Sequence, residues 1–200
     1  MKNVTVPETL LFFDTETTGL PVWKEPSDSP DQPHIVQLCA LLVDANTREV
    51  LQTLDVIIKP IDFEIPQETI DVHGITNELA LAIGIDERLA VDVFFDLWHQ
   101  SKRIAFNTTF DNRIIRIALK RMGFPEFEQE LWKTGEYECA MIASKKIMKK
   151  GKNPNLAEAY EFFTGRELEN AHNALADTKA CMDIFFAIQD YQDPIAAVDF

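Results

Sequence analysis

The chain has 200 residues, 46% of them hydrophobic, three cysteines and a formal net charge of −14. This length suits one compact domain over residues 1–200 whose core needs neither disulfides nor a structural metal. So large a negative charge excludes a protein that holds polyanions through a broad basic face.

No basic stretch followed by an apolar core opens the sequence, and the run Leu10 to Phe13 is cut short by Asp14. Neither a signal peptide nor a membrane span is expected, so the predicted location is cytoplasmic, without a membrane partner. Cys39, Cys139 and Cys181 are far apart among apolar neighbours, which fits reduced core thiols better than disulfides or a zinc site.

In chain order, Thr9 to Phe13 reads as a buried strand ending at Asp14. Residues 24 to 34, rich in proline, serine and acids, read as an exposed loop. His34 to Asp44 and Val50 to Lys59 are β-branched and aliphatic around Asp44-Ala45-Asn46-Thr47 and predict a hairpin. Three strands therefore come first, two of them antiparallel. Leu89, Val93 and Leu97 recur at helical spacing between Asp86 and His99, followed by a brief strand, Ile104 to Phe106. Ile114, Ile115, Ala118, Leu119 and Met122 predict a helix from about Asp111 to the Gly123-Phe124-Pro125 stop. Leu156, Ala159, Tyr160 and Phe163 predict another, closed by Gly165, and Ala176 to Ile188 the core of a long last helix over about 174–190. Strands first and then alternation with helices predict an α/β fold, a mixed sheet flanked by helices. Lys145, Lys146, Lys149, Lys150 and Lys152 form a local basic cluster, equally readable as a solvated helix face running into a loop or as a phosphate-contacting patch.

Three acidic clusters carry chemistry. Asp14 and Glu16, two apart at a strand end, point to the same side of a sheet. Like charges about 4 Å apart cost roughly 4 kcal/mol at an effective dielectric near 20, a penalty that a divalent cation removes. Hard carboxylate oxygens suit magnesium or manganese. Asp111 follows Phe106-Asn107-Thr108-Thr109-Phe110 where a strand gives way to a helix; alone, it reads as an acid favouring a helix start. His172 and Asp177 bracket the start of the last helix, an imidazole able to take a proton from water and a carboxylate able to bind metal. Alone, each is an ordinary surface residue.

Together, DTETTGL at 14 to 20, NTTFD at 107 to 111 and HNALAD at 172 to 177 resemble the three motifs of the DnaQ-like (DEDDh) 3′-to-5′ exonuclease family. Val72-His73-Gly74-Ile75-Thr76 is similar to that family's VHGI segment, and the resemblance spans about residues 9 to 188. It implies a ribonuclease H-like mixed five-stranded sheet with helices on both faces. It assigns Asp14, Glu16, Asp111 and Asp177 to two divalent metal ions, Mg2+ or Mn2+, and His172 to the general base. Four carboxylates roughly balance two such ions, which at about 3.5–4 Å apart stabilise attacking and leaving oxygens in an in-line displacement. Thr17, Thr18, Leu20, His73, Asn107 and Phe110 are the expected nucleic-acid contacts, with exposed Phe110 stacking on a base. For Leu20 and Phe110 the alternative is packing, and for His73 the ordering of a loop before a short helix.

The sequence departs from the family at Gln37, where many relatives carry Glu, at Phe106, where they often carry His, and at Glu138-Cys139-Ala140-Met141, which replaces a frequent Asp-Thr pair. None is one of the five essential positions, which disfavours a non-catalytic accessory module. The expected substrate is a single-stranded DNA 3′ end, with an RNA 3′ end the rival. A DNA polymerase or helicase is the expected protein partner, if one exists. Asp193 to Phe200 is the stretch that would dock it, although a frayed terminus is the simpler account.

Overall fold

The computed structural model describes residues 8–192. The stretch from residue 193 onward, considered for partner docking, lies outside the described residues. Strands β1 (Thr9–Thr17), β2 (Ile35–Asp44), β3 (Val50–Ile57), β4 (Lys102–Ala105) and β5 (Tyr137–Cys139) form one sheet in the order β3-β2-β1-β4-β5. The first three make an antiparallel meander, and β4 and β5 add in parallel beyond β1. This is the mixed five-stranded sheet expected of a ribonuclease H-like fold. All of β1–β3, rather than two strands of the three, run antiparallel.

The side-chain period of two divides β1 between two cores. Leu11 and Phe13 pack with Ala90, Val91 and Phe94 of α3 (Glu87–Trp98), with α4 (Thr108–Arg121) and with Trp132 of α5 (Glu126–Thr134). Leu10 and Phe12 face the other way, onto Ala140 of α6 (Ala140–Met148), Ala159 of α7 (Leu156–Thr164) and Cys181 and Ile184 of α8 (Ala174–Gln192). Helices on both faces leave no solvated side, and so β1 reads as an unbroken apolar run. Two short helices, α1 (Gln67–His73) and α2 (Asn77–Ile83), close a small third cluster around Val36, Ile65 and Ile75.

Three boundaries differ from expectation. β1 continues past Asp14 to Thr17, because Asp14, Thr15 and Glu16 pair with Cys39, Leu38 and Gln37 of β2. β4 starts and ends earlier than expected, and α4 begins at Thr108, so Asp111 lies inside its first turn. Among the described residues, no helix is long and apolar enough to cross a membrane.

Candidate metal centre

Asp14 and Glu16 lie on the α8 face of β1, continuing the row of Leu10 and Phe12. Immediately after Glu16 the ladder skips a residue, so that Thr17 pairs with Ile35. The extra residue, Val36, belongs to β2, and such a bulge bends that strand and raises the local twist where β1 ends. Asp177 approaches from the first turn of α8. One oxygen from each of Asp14, Glu16 and Asp177 lies within 4.8 Å of the others.

Asp111 falls outside that triple, though its charge is felt at Asp14. Its Oδ1 accepts from the Thr15 backbone N–H at 3.2 Å and the Thr15 hydroxyl at 2.9 Å, which ties the start of α4 to β1.

Burial raises every one of these carboxyls. Asp14 is held well above its ordinary value by burial, then by Asp111, Glu16 and Asp177. Burial and then Asp177 push Glu16 up to about 7. Asp111 is pushed to about 7 by burial, against the hydrogen bonds from Thr15. Burial moves Asp177 up to about 6, opposed by the His172 backbone N–H. Such shifts mark groups whose charge awaits a partner.

Two features fit a hard cation. The converging ligands are carboxylate oxygens only. Asp177 Oδ1 is buried without a hydrogen-bond partner, while Oδ2 accepts from the His172 backbone N–H at 3.1 Å. The nearby thiols do not compete: burial pushes Cys39 up to about 12 and raises Cys181, so both remain protonated.

His172 is exposed; its backbone N–H bonds to Asp177, and its imidazole lies close enough for its charge to favour the ionised Asp177 carboxylate. It sits in the left-handed region at φ 67°, after Asn170 at φ 55°, in the turn that precedes α8. Asn173 ends that turn, its Oδ1 accepting from Ala176 N–H as a helix cap. His172 and His73 share a cleft of about 650 Å³, within the size range of ligand sites. His73 Nδ1 accepts from Ile75 N–H, ordering the turn before α2, and burial lowers its pKa. Its Nε2 is buried and unpartnered, a free donor in the neutral ring.

The other expected contacts divide. Leu20 is 79% exposed and Asn107 is exposed. Phe110 is half-buried against the α3/α4 core, not exposed as expected, because the first turn of α4 folds it inward. The Thr17 hydroxyl donates to Gly19 O, and the Thr18 hydroxyl accepts from His34 N–H. Both hydroxyls shape the loop that follows the acids.

One residue acquires a role that its sequence position did not signal. Gln37, buried beside Glu16 in the ladder, donates to Asp55 Oδ1 at 2.7 Å and accepts from Ala174 N–H at 3.2 Å. It ties the first turn of α8, and hence Asp177, to the sheet. Phe106 is a core residue whose carbonyl accepts from Met141 N–H and the Cys139 thiol, joining the strand ends at β4 and β5.

The sheet order and the acids gathered at the end of its central strand define the ribonuclease H-like, DnaQ-like class. The sequence matches the RNase_T exonuclease family over residues 11–185, and the chain belongs to that family. The fold is similar to that of E. coli exonuclease I in complex with a dT13 oligonucleotide, at TM-score 0.73 and 20% identity over 95% of this chain and 42% of that one. It is similar also to the zinc-bound E. coli exonuclease I–ssDNA complex (TM-score 0.72, 20% identity, 94% and 42% covered). A product-bound exonuclease I gives TM-score 0.71 at 19% identity, with 97% and 49% covered. The chain thus spans less than half the length of these structures. None of the curated proteins matches it.

Proposed function

We propose that this chain forms a single catalytic unit that removes nucleotides one at a time from nucleic acid 3′ ends, single-stranded DNA in preference to RNA, with two divalent cations of the Mg2+ or Mn2+ class. The observation that carries the reading is the convergence of Asp14, Glu16 and Asp177 as partly buried carboxyls, one Asp177 oxygen buried without a partner, with buried Asp111 tied to Thr15 beside them. Cations bound at these oxygens would supply the positive charge that favours attack at phosphorus and departure of the 3′ oxygen. Asp14 and Glu16 hold their oxygens on a strand that stays paired with β2 through both residues, and Thr15 fixes Asp111 beside them.

His172, on the exposed turn beside Asp177, takes the proton from the attacking water. Neutral His73 offers Nε2–H to the bound nucleotide across the shared cleft. Thr17 and Thr18 shape the adjoining loop, Leu20 lies against the terminal nucleotide, and Asn107 and Phe110 border it from the start of α4. Preference for DNA is supported by the similar exonuclease I structures, which are complexes with dT13 and dA16.

The test uses matched, end-labelled DNA and RNA oligonucleotides with Mg2+ and with Mn2+, with the 3′ hydroxyl free or blocked. Stepwise shortening of DNA that stops on blocking is expected. Continued cleavage of the blocked strand would assign another polarity or an endonuclease, and faster cleavage of RNA would reverse the substrate preference.

A further inference from the structure

Beyond the acids lies a feature that the chemistry leaves unused. The loop between β1 and β2 carries Leu20, Val22 and Trp23 in the open; the Trp23 indole is 55% exposed, whereas Trp98 and Trp132 are buried. Among the described residues, no aromatic ring stacks on Trp23 and no cation sits over it. A solitary exposed indole on a mobile loop would need no explanation. This one is held out by a rigid frame.

Glu25 N–H donates to Val22 O, making a turn with Trp23 and Lys24 at its tip. Gln32, only 2% exposed, clamps the turn from beneath. Its Oε1 accepts from Val22 N–H at 3.1 Å, and its Nε2 donates to Val22 O at 3.0 Å and to Pro26 O at 3.0 Å. Arg113, two residues beyond Asp111 on α4, donates to Glu25 O at 2.6 Å. Arg121, farther along α4, donates to Gln32 O at 2.7 Å. The helix that carries Asp111 therefore also fixes the turn that carries Trp23. A buried glutamine and two arginines of α4 committed to fixing a surface turn make the ring's exposure a set feature of the loop.

We propose that Trp23 is a stacking platform for a base upstream of the terminal nucleotide, with Lys24 beside it facing the backbone phosphates. This rests on the exonuclease reading, because that reading puts the terminal nucleotide against Leu20, and Trp23 is the first aromatic surface beyond it along the same loop. Stacking suits an end-trimmer that must accept any sequence, since every base offers a π-face. It adds affinity for strands long enough to reach the ring and none for shorter ones.

The experiment measures Mg2+-dependent hydrolysis of single-stranded DNA from dinucleotide to decamer by wild type, Trp23→Ala and Trp23→Phe. Trp23→Ala should raise KM for the decamer roughly 5- to 100-fold, the range set by loss of one base–aromatic stack, with kcat and dinucleotide hydrolysis unchanged. Trp23→Phe should recover most of the affinity. A decamer with one abasic residue near its 3′ end should bind wild type as weakly as the intact decamer binds Trp23→Ala. Equal KM changes at every length, or none at any, would overturn the proposal. Wild type that cleaves nothing would refute the exonuclease reading instead. The platform is then judged by binding: the decamer should quench the exposed indole's emission in wild type but not in Trp23→Phe, and absence of quenching overturns it.

Discussion

Charge is enclosed on both faces of this sheet and treated differently on each. Arg103 of β4 is 1% exposed, on the face packed by α3, α4 and α5. Its Nε donates to Asn112 Oδ1 at 3.0 Å and its Nη2 to the Trp132 carbonyl, while the guanidinium lies 3.7 Å from the Trp132 ring centroid. Burial lowers its pKa to about 10, which leaves it charged at neutral pH, with carbonyl oxygens and aromatic faces supplying partial negative charge. On the other face, Asp14, Glu16 and Asp177 meet with little but each other for company, and their pKa values climb. The structural charge is compensated at Nε and Nη2 and by the indole face, with Nη1 alone left unpartnered. The acids are left short of compensation, and the missing part has the sign and hardness of a divalent cation.

The largest effect expected from breaking this contrast is in catalysis. Asp14→Asn should lower Mg2+-dependent hydrolysis roughly a thousandfold or more, since cation stabilisation of the transition state amounts to several kcal/mol. The metal-free variant should also melt above the wild type, because a buried like charge has been removed. Normal activity would remove Asp14 from the site. His172→Ala should reduce kcat by roughly 10²–10⁴ with little change in KM; equal loss in both would count against a base. Arg103→Ala reverses the pattern: about 3 kcal/mol of stability lost, from truncation and two orphaned acceptors, with activity per folded molecule retained. Denaturant unfolding paired with rates normalised to folded protein would separate the two kinds of buried charge.

Stability against pH sharpens the same contrast. Glu16 rises from 4.5 to about 7 and Asp111 from 3.8 to about 7, so the folded metal-free protein binds more protons than the unfolded chain between those values. Its stability is therefore greatest below about pH 4 as far as these groups are concerned, and is lost as pH rises through 7. Thermal melts from pH 5 to 8 should show that decline without metal and a flattened curve with saturating Mg2+. A metal-free curve that rises over this window would contradict the assignment. The smallest effect belongs to Gln37→Leu, which removes two hydrogen bonds, about 1–2 kcal/mol in total. It should loosen α8 and weaken Mg2+ activation while Asp14 and Glu16 stay in place; unchanged Mg2+ dependence would leave Gln37 a packing residue.

Much of this was legible in the sequence because it follows periods. The i, i+2 spacing of Asp14 and Glu16 placed them on one face, and the helical spacing of Ile114 to Leu119 and of Ala176 to Ile188 marked α4 and α8. The motif order then named the acids that meet. What escaped notice lacks such a period. In α2 only Ala80 is buried while Leu79, Leu81 and Ile83 point outward, so its pattern does not signal a packed helix. β5 has three residues, too few for alternation to register. Gln37 looked like a neutral departure, because its link to Ala174 joins residues 137 positions apart. Trp23, just ahead of the proline-rich stretch, carries no periodic signal, since the clamp formed by Gln32 and Arg113 exists only once the loop is folded.

The central claim is that the buried carboxyls on the α8 face exchange protons for divalent cations. Calorimetric titration of Mn2+ into the metal-free protein at pH 6.5, in two buffers of different ionisation enthalpy, measures both events at once. The account predicts two bound ions with net proton release, and loss of both binding and release in an Asp14→Asn/Asp177→Asn variant that remains folded. Undiminished binding in that variant, or binding to the wild type without proton release, would contradict it.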